Sequence, residues 1–388
     1  MSAAVRTYLT LFFAGAAAFS MSTLFSAMKP IVLTRFVEQV HASDTLASII
    51  AATPFIGIAA AALVAPWFAR RFSLRALALG FGGLLAGVEI LTAFQFEMIA
   101  LVLPAQFAGG IAVGVLMGAT SQRIAMTPVA DQLFGLVDMT AVLLMSFMVT
   151  GVGLAVNGGG LQSGYLLAAL LSAIFALCML GHRSAHAEST DAVAARRPLH
   201  IGLRELCVVV MGVLFVTTSG MGFAYMFTMA QALGMDYAVA GTQIGVLLFF
   251  SAFACAAGGW CSARFGPYRP LAGAYIVCAL GWWFAVYTAS PVVFIAALVP
   301  AVFALQFSFP VLVSLSGSLD PQGRWAAIAT PLLTSGFAWA AITAGQLVER
   351  AGIQALAVAT ATGMTLCLML LMGARRLTTQ TGSAHQSA

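Results

Sequence analysis

Charge is what this sequence has least of: 7% of its 388 residues are charged, and mean hydropathy is +1.00. A soluble domain carries about 25% charge, so these residues cannot cover a water-soluble surface, and disorder, which needs low hydrophobicity, is excluded with it. Lysine occurs once, at Lys29, and Met28-Lys29-Pro30 is not a glycine-rich run ending in Gly-Lys-Ser/Thr. Nucleotide hydrolysis by a phosphate-binding loop is therefore ruled out. No Cys-x-x-Cys pair occurs, and all six cysteines fall inside apolar runs, where they read as free thiols. The five histidines lie in connecting segments without the paired spacing of a zinc site. Neither a metal nor any other cofactor is expected. The net charge of +5 comes with no basic stripe interleaved with aromatics, so nucleic acid is not an expected partner either.

What the chain has in abundance is long apolar runs, and its natural solvent is a lipid bilayer. A helix needs about 20 residues to cross about 30 Å of hydrocarbon. Twelve segments meet that length: 8–28, 46–68, 76–94, 98–119, 133–156, 161–181, 206–233, 240–262, 271–289, 292–315, 326–348 and 354–373. The first, preceded by Arg6, has the look of a cleaved leader, but it is too long for a leader core and is read as a helix. The expected fold class is an all-α integral membrane protein.

Basic residues mark the cytoplasmic side of membrane helices. With the amino terminus inside, fourteen of the 17 basic residues fall on inner segments, and only Lys29, Arg35 and Arg350 fall outside. Both termini are thus expected in the cytoplasm, the protein sitting in the plasma membrane, as in a bacterial inner membrane.

The stretch 182–205 is the one long polar interruption. It divides the chain into an amino-terminal six-helix bundle, 1–181, a cytoplasmic linker, and a carboxy-terminal bundle with a short tail, 206–388. At an offset of 193 residues Trp67 aligns with Trp260, Arg71 with Arg264, Phe72 with Phe265, Gly80 with Gly273 and Pro128 with Pro321. The halves read as an internal duplication.

Twelve helices in two pseudo-symmetric halves resemble the major facilitator superfamily of secondary transporters along essentially the whole chain. The family's most specific motif, Gly-x-x-x-Asp-Arg-x-Gly-Arg-Arg between helices two and three, has its counterpart in Ala65-Pro66-Trp67-Phe68-Ala69-Arg70-Arg71-Phe72-Ser73-Leu74-Arg75, and a second copy in Gly259-Trp260-Cys261-Ser262-Ala263-Arg264-Phe265-Gly266. The resemblance implies a cytoplasmic gate built from Arg70, Arg71, Arg75, Arg264 and Gly266. The motif's acid is missing from both copies, and Asp131 in the next inner loop is its candidate substitute. The Arg and Gly-Pro signatures of proton-coupled exporters are absent: Gln106 stands at the Arg position of helix four, and Gly151-Val152-Gly153 lacks the proline.

Charged groups within the helices cost roughly 2.5–3.5 kcal/mol each on insertion scales, so each asks for a reason. Asp138, near the start of segment five, reads either as a carboxylate that loads and unloads a proton or as an early-turn acid favoured by the helix dipole. Glu89, in the outer half of segment three, reads as a second proton carrier or as an acid that snorkels or pairs locally. Lys29 is either a cavity cation attracting an anion or an interfacial anchor. In the family, helices one, four, seven and ten line a central cavity, which implies a substrate site from Ser22, Lys29, Gln106, Tyr225 and Gln306, with Trp339 of helix eleven beside them. Serine and threonine on the same faces also fit ordinary packing, bonded back to their own helices.

The expected function is a secondary transporter that moves a small organic solute by alternating access, coupled to protons and acting as a monomer in the bilayer. Two other classes stay open: a non-transporting sensor of the same ancestry, and a membrane-embedded enzyme, for which no catalytic constellation is visible.

Overall fold

Inside hydrocarbon a backbone must satisfy its hydrogen bonds within its own segment, which leaves helices for a chain of this composition. The computed structural model, which describes residues 3–40, 44–181, 199 and 201–386, is helical throughout those segments. In chain order the helices are α1 (Ala3–Val40), α2 (Asp44–Ala61), α3 (Ala65–Arg71), α4 (Leu74–Leu77), a π-helical turn Ala78–Gly82, α5 (Gly83–Gln95), α6 (Ile99–Ala125) and α7 (Ala130–Met179). They continue with α8 (Leu203–Ala232), α9 (Tyr237–Phe265), α10 (Tyr268–Tyr287), α11 (Pro291–Gly317), α12 (Arg324–Ala351) and α13 (Gln354–Gln386).

Among the described residues ten stretches are individually long and apolar enough to cross a membrane. One of them is α7, which breaks at Gly159 and Gly160; Gly160 has φ 69°, a value that glycine adopts without a Cβ clash, so α7 is two passes. The pair α2 and α3, bent by 59°, adds another, and the total reaches twelve.

Three elements differ from the sequence expectation. Segment 46–68 is not continuous, because the turn at 62–64 relies on i to i−3 bonds such as Leu63 N–H to Ala60 O, and Pro66 then opens α3 without an N–H to give. Ser73 restarts the chain by accepting the Ala76 N–H on its Oγ at 3.2 Å. The first and last segments run further than their apolar cores, to Val40 and Gln386, with Pro30 inside α1.

The chain packs as two compact units. One holds Met1–Pro128, Phe147–Gly202 and Gly317–Pro331; the other holds Val129–Ser146, Leu203–Ser316 and Leu332–Ala388. Each unit therefore takes the opening turns of one helix from the opposite half of the sequence. In the second unit α7 lies against α9 so closely that a Cβ on Gly135 would stand 2.7 Å from the Cys255 carbonyl oxygen. In the first, α12 lies against α6, where a Cβ on Gly118 would stand 2.7 Å from the Ala327 carbonyl oxygen. Glycine permits both approaches, as in other membrane helix pairs.

The start of α12 is fixed by Asp320. Its carboxylate accepts the Arg324 backbone N–H at 3.1 Å, Nε at 2.8 Å and Nη2 at 2.9 Å. Partial burial alone would raise the Asp320 pKa, but the bonds from Arg324 outweigh it and hold the acid below its ordinary value of 3.8. A folded value below the unfolded one adds stability above pH 3.8, and that stability is lost as pH falls through the folded value. Asp320→Asn is accordingly expected to cost about 1 kcal/mol, the usual worth of a helix cap, at neutral pH. Thermal unfolding in detergent should show the gap between variant and parent closing once the medium is acidic enough to protonate Asp320.

Candidate functional site

Many hydroxyl side chains among the described residues bond back to their own helix. Thr218 bonds back to Leu214 O at 2.8 Å, Ser335 to Leu332 O at 2.7 Å and Thr343 to Trp339 O at 2.6 Å. These hydroxyls fit the packing alternative drawn from the sequence.

Two carboxylates do not fit it. In the first unit Glu89, on α5, is 1% exposed. The Gln106 amide, from α6, donates to Thr92 Oγ1 at 3.0 Å and reaches Glu89 Oε2 at 3.5 Å, while Thr92 donates its own proton to Val88 O at 2.9 Å. Glu89 Oε1 is buried with no hydrogen-bond partner. Gln106 also lines a small cavity, shared with Phe25, Met28, Pro54 and Tyr165, of about 20 Å³, enough for about one water molecule. Glu89 thus sits inside its unit, against Gln106, rather than at a lipid boundary.

In the second unit Asp138, on α7, is 6% exposed, and its Oδ2 is likewise buried without a partner. It lies one turn beyond Gly135, and the next turn packs Met139, Val142 and Leu143 on Ala252 and Cys255 of α9. Two turns before it, Asp131 is engaged through one oxygen: its Oδ1 accepts Ser262 Oγ from α9 at 2.9 Å and Ser314 Oγ from α11 at 2.5 Å. The partners of this acid are hydroxyls, where the sequence resemblance implied cations.

The arginines of the gate motif are occupied differently. Arg71 stacks over Trp67 at 4.7 Å, and Arg264 lies 5.8 Å from both Trp260 and Phe265. Arg75 Nε donates to Leu180 O at 2.8 Å; Arg70 is exposed, and Gly266 ends α9 with φ +74°. The position of the missing acid is Ala69, and here Arg123 donates through Nη2 to Ala69 O at 3.3 Å and to Phe72 O at 2.9 Å. The guanidinium thereby caps the carboxyl end of α3, where the carbonyls lack helical partners.

Of the substrate residues expected from sequence, Ser22 and Gln106 are buried in the first unit. Tyr225 and Gln306 are half-buried and Trp339 is 47% exposed in the second. The Lys29 side chain lies outside the described residues. Thr92, Tyr165, Arg123, Ser262 and Ser314 escaped the sequence reading. Thr92 alone had a local signal, three residues from Glu89 on the same helical face; the others meet their partners only across helices.

Similar structures share this architecture. The E. coli fucose:proton symporter FucP superposes with a TM-score of 0.72 at 15% identity, covering 95% of this chain and 99% of its own. The human organic anion transporter MFSD10 gives 0.71 at 17% identity, covering 96% and 100%. The proton:xylose symporter XylE gives 0.70 at 12%, covering 95% and 94%. At these identities the likeness is one of fold. No curated protein matches the sequence. The family pattern described as Major Facilitator Superfamily matches residues 10–344, and with that match extending over most of its length the chain belongs to the major facilitator superfamily of membrane transporters.

Proposed function

We propose that this chain moves a small organic solute across the plasma membrane by alternating access and couples that movement to protons through Glu89 and Asp138. The observation that carries the reading is that both acids are buried within membrane helices and that each keeps one carboxylate oxygen without a hydrogen-bond partner. A structural acid in hydrocarbon would be expected to have a partner at each oxygen, since an unpaired polar atom there is costly.

The mobile bodies in this account are the sequence halves, 1–181 and 206–388, joined by the linker 182–205, with both termini cytoplasmic and the monomer as the working unit. Ser262 and Ser314 then hold Asp131 from the opposite half, and Gln122 Nε2 holds Gln322 O at 3.0 Å in the same manner. Rocking of the halves breaks these bonds and remakes them, so Asp131 serves as the gate acid with hydroxyl partners. Hydrogen bonds of this kind, each worth about 1 to 3 kcal/mol net, can be exchanged in such a cycle.

The substrate site is assigned to Ser22, Lys29, Gln106, Tyr225, Gln306 and Trp339, and this set suits a neutral or singly charged solute with hydrogen-bonding groups. The names of similar structures agree in kind: two are sugar:proton symporters and one is an organic anion transporter.

Reconstitution in sealed vesicles with D-xylose and L-fucose as probes tests the coupling. With one proton per solute, a pH gradient of about one unit sustains roughly tenfold accumulation. Glu89→Gln and Asp138→Asn should each bring accumulation back to simple equilibration while exchange of labelled solute continues. Gradient-driven accumulation that survives in both variants contradicts the assignment.

A further inference from the structure

The duplicated sequence pairs form the same three-residue cluster in both units. In the first, Arg71 stacks on Trp67, whose ring meets Phe72 at 6.0 Å. In the second, Arg264 lies over Trp260 and Phe265, whose rings meet at 6.2 Å. The aromatic rings are not core: Trp67 and Phe72 are each 41% exposed, and Trp260 and Phe265 each 53%. On the same stretches of chain Leu63 and Leu79 in the first unit, and Phe250 and Phe253 further along α9 in the second, are exposed as well, a surface suited to hydrocarbon. No acidic residue occurs within 65–75 or 259–269, whereas Arg70, Arg75 and Arg269 add positive charge.

We propose that each Trp–Arg–Phe cluster binds the phosphate of an anionic lipid headgroup. A guanidinium held over a ring, at 4.7 Å for Arg71 and 5.8 Å for Arg264, still offers its N–H fork, which matches phosphate oxygens in pairs. The indole beneath is the residue that belongs at headgroup depth, apolar on its face and polar at its edge. Ring and cation hold each other in register, so the arginine loses less freedom on binding than an unsupported one would. The apolar flanks commit the site to a phosphate tethered to acyl chains rather than a free one. That the arrangement occurs at both copies of the repeat, while other polar details of the halves have diverged, is what a surface facing the same lipid leaflet twice would retain.

Native mass spectrometry of the full chain, extracted from vesicles of equal phosphatidylglycerol and phosphatidylcholine, tests this. The parent should retain phosphatidylglycerol over phosphatidylcholine by about fivefold per cluster, the gain expected from one arginine at an anionic surface. Arg71→Gln with Arg264→Gln should abolish the preference, and Arg71→Lys with Arg264→Lys, which keeps charge without the planar stack, should reduce it. A preference that persists in the glutamine pair overturns the proposal, as does release of the lipid by millimolar inorganic phosphate, which would mark a free-anion site. Should the glutamine pair fail to fold, the unmodified protein gives its own reading: brominated phosphatidylglycerol should quench tryptophan fluorescence more than brominated phosphatidylcholine, and equal quenching contradicts the assignment.

Discussion

Hydrocarbon gives a polar atom nothing to bond, and the rest of this molecule follows from that constraint. It dictates helices wherever the chain crosses. It also accounts for the threonines and serines that turn back on their own carbonyls, as Thr120 does to Leu116 O at 2.9 Å and Ser219 to Phe215 O at 2.6 Å. Helices of this kind gain no hydrophobic driving force from meeting one another in lipid, so close approach has to come from small residues. Gly110 and Gly114 of α6 do this against Pro54 and Ile58 of α2, just as Gly135 does against α9. Among the buried side-chain atoms of the described residues that lack a partner, which include serine hydroxyls such as Ser20 and Ser308, Glu89 Oε1 and Asp138 Oδ2 are the two that belong to carboxylates.

The two sequence halves, read as copies of one repeat, differ in chemistry at equivalent positions. The Trp–Arg–Phe cluster persists in both. Position 131, by contrast, corresponds to 324 at the 193-residue offset, and an acid in one half has become a base in the other. Asp131 is tied to Ser262 and Ser314, whereas Arg324 is tied to its neighbour Asp320 in the preceding turn. The two helix starts therefore have different chemistry at equivalent places, one a carboxylate held by hydroxyls and the other a local ion pair. Arg123 caps α3 at Ala69, where the motif has its acid, by donating to backbone carbonyls.

The fold was legible because length and apolarity are properties of a single segment. The turn between segments five and six falls at Gly159 and Gly160, between the expected ends at 156 and 161. The bend near Ala62 was hidden, since both arms of α2 and α3 are apolar and hydropathy does not register a break between them. The acids Glu89 and Asp138 were visible as anomalies of charge, but their surroundings were not. Gln106 was read as a cavity residue; its amide also meets Thr92 and Glu89, a pairing between helices that no spacing along one of them reveals. Asp131 was read as a candidate substitute for the motif acid, while its serine partners, 131 and 183 residues away, left no local trace.

If the unsatisfied carboxyls exist to carry protons, they must hold one while buried in an apolar setting. Dicyclohexylcarbodiimide reacts with carboxyls in that condition and spares ionised ones at the surface, so peptide mapping after treatment in native membranes tests the account without knowledge of the solute. Modification concentrated on Glu89 and Asp138, with the looped-out acids Glu97 and Asp236 spared, is the result predicted. Modification of Glu89 and Asp138 no greater than that of Glu97 and Asp236 would contradict it.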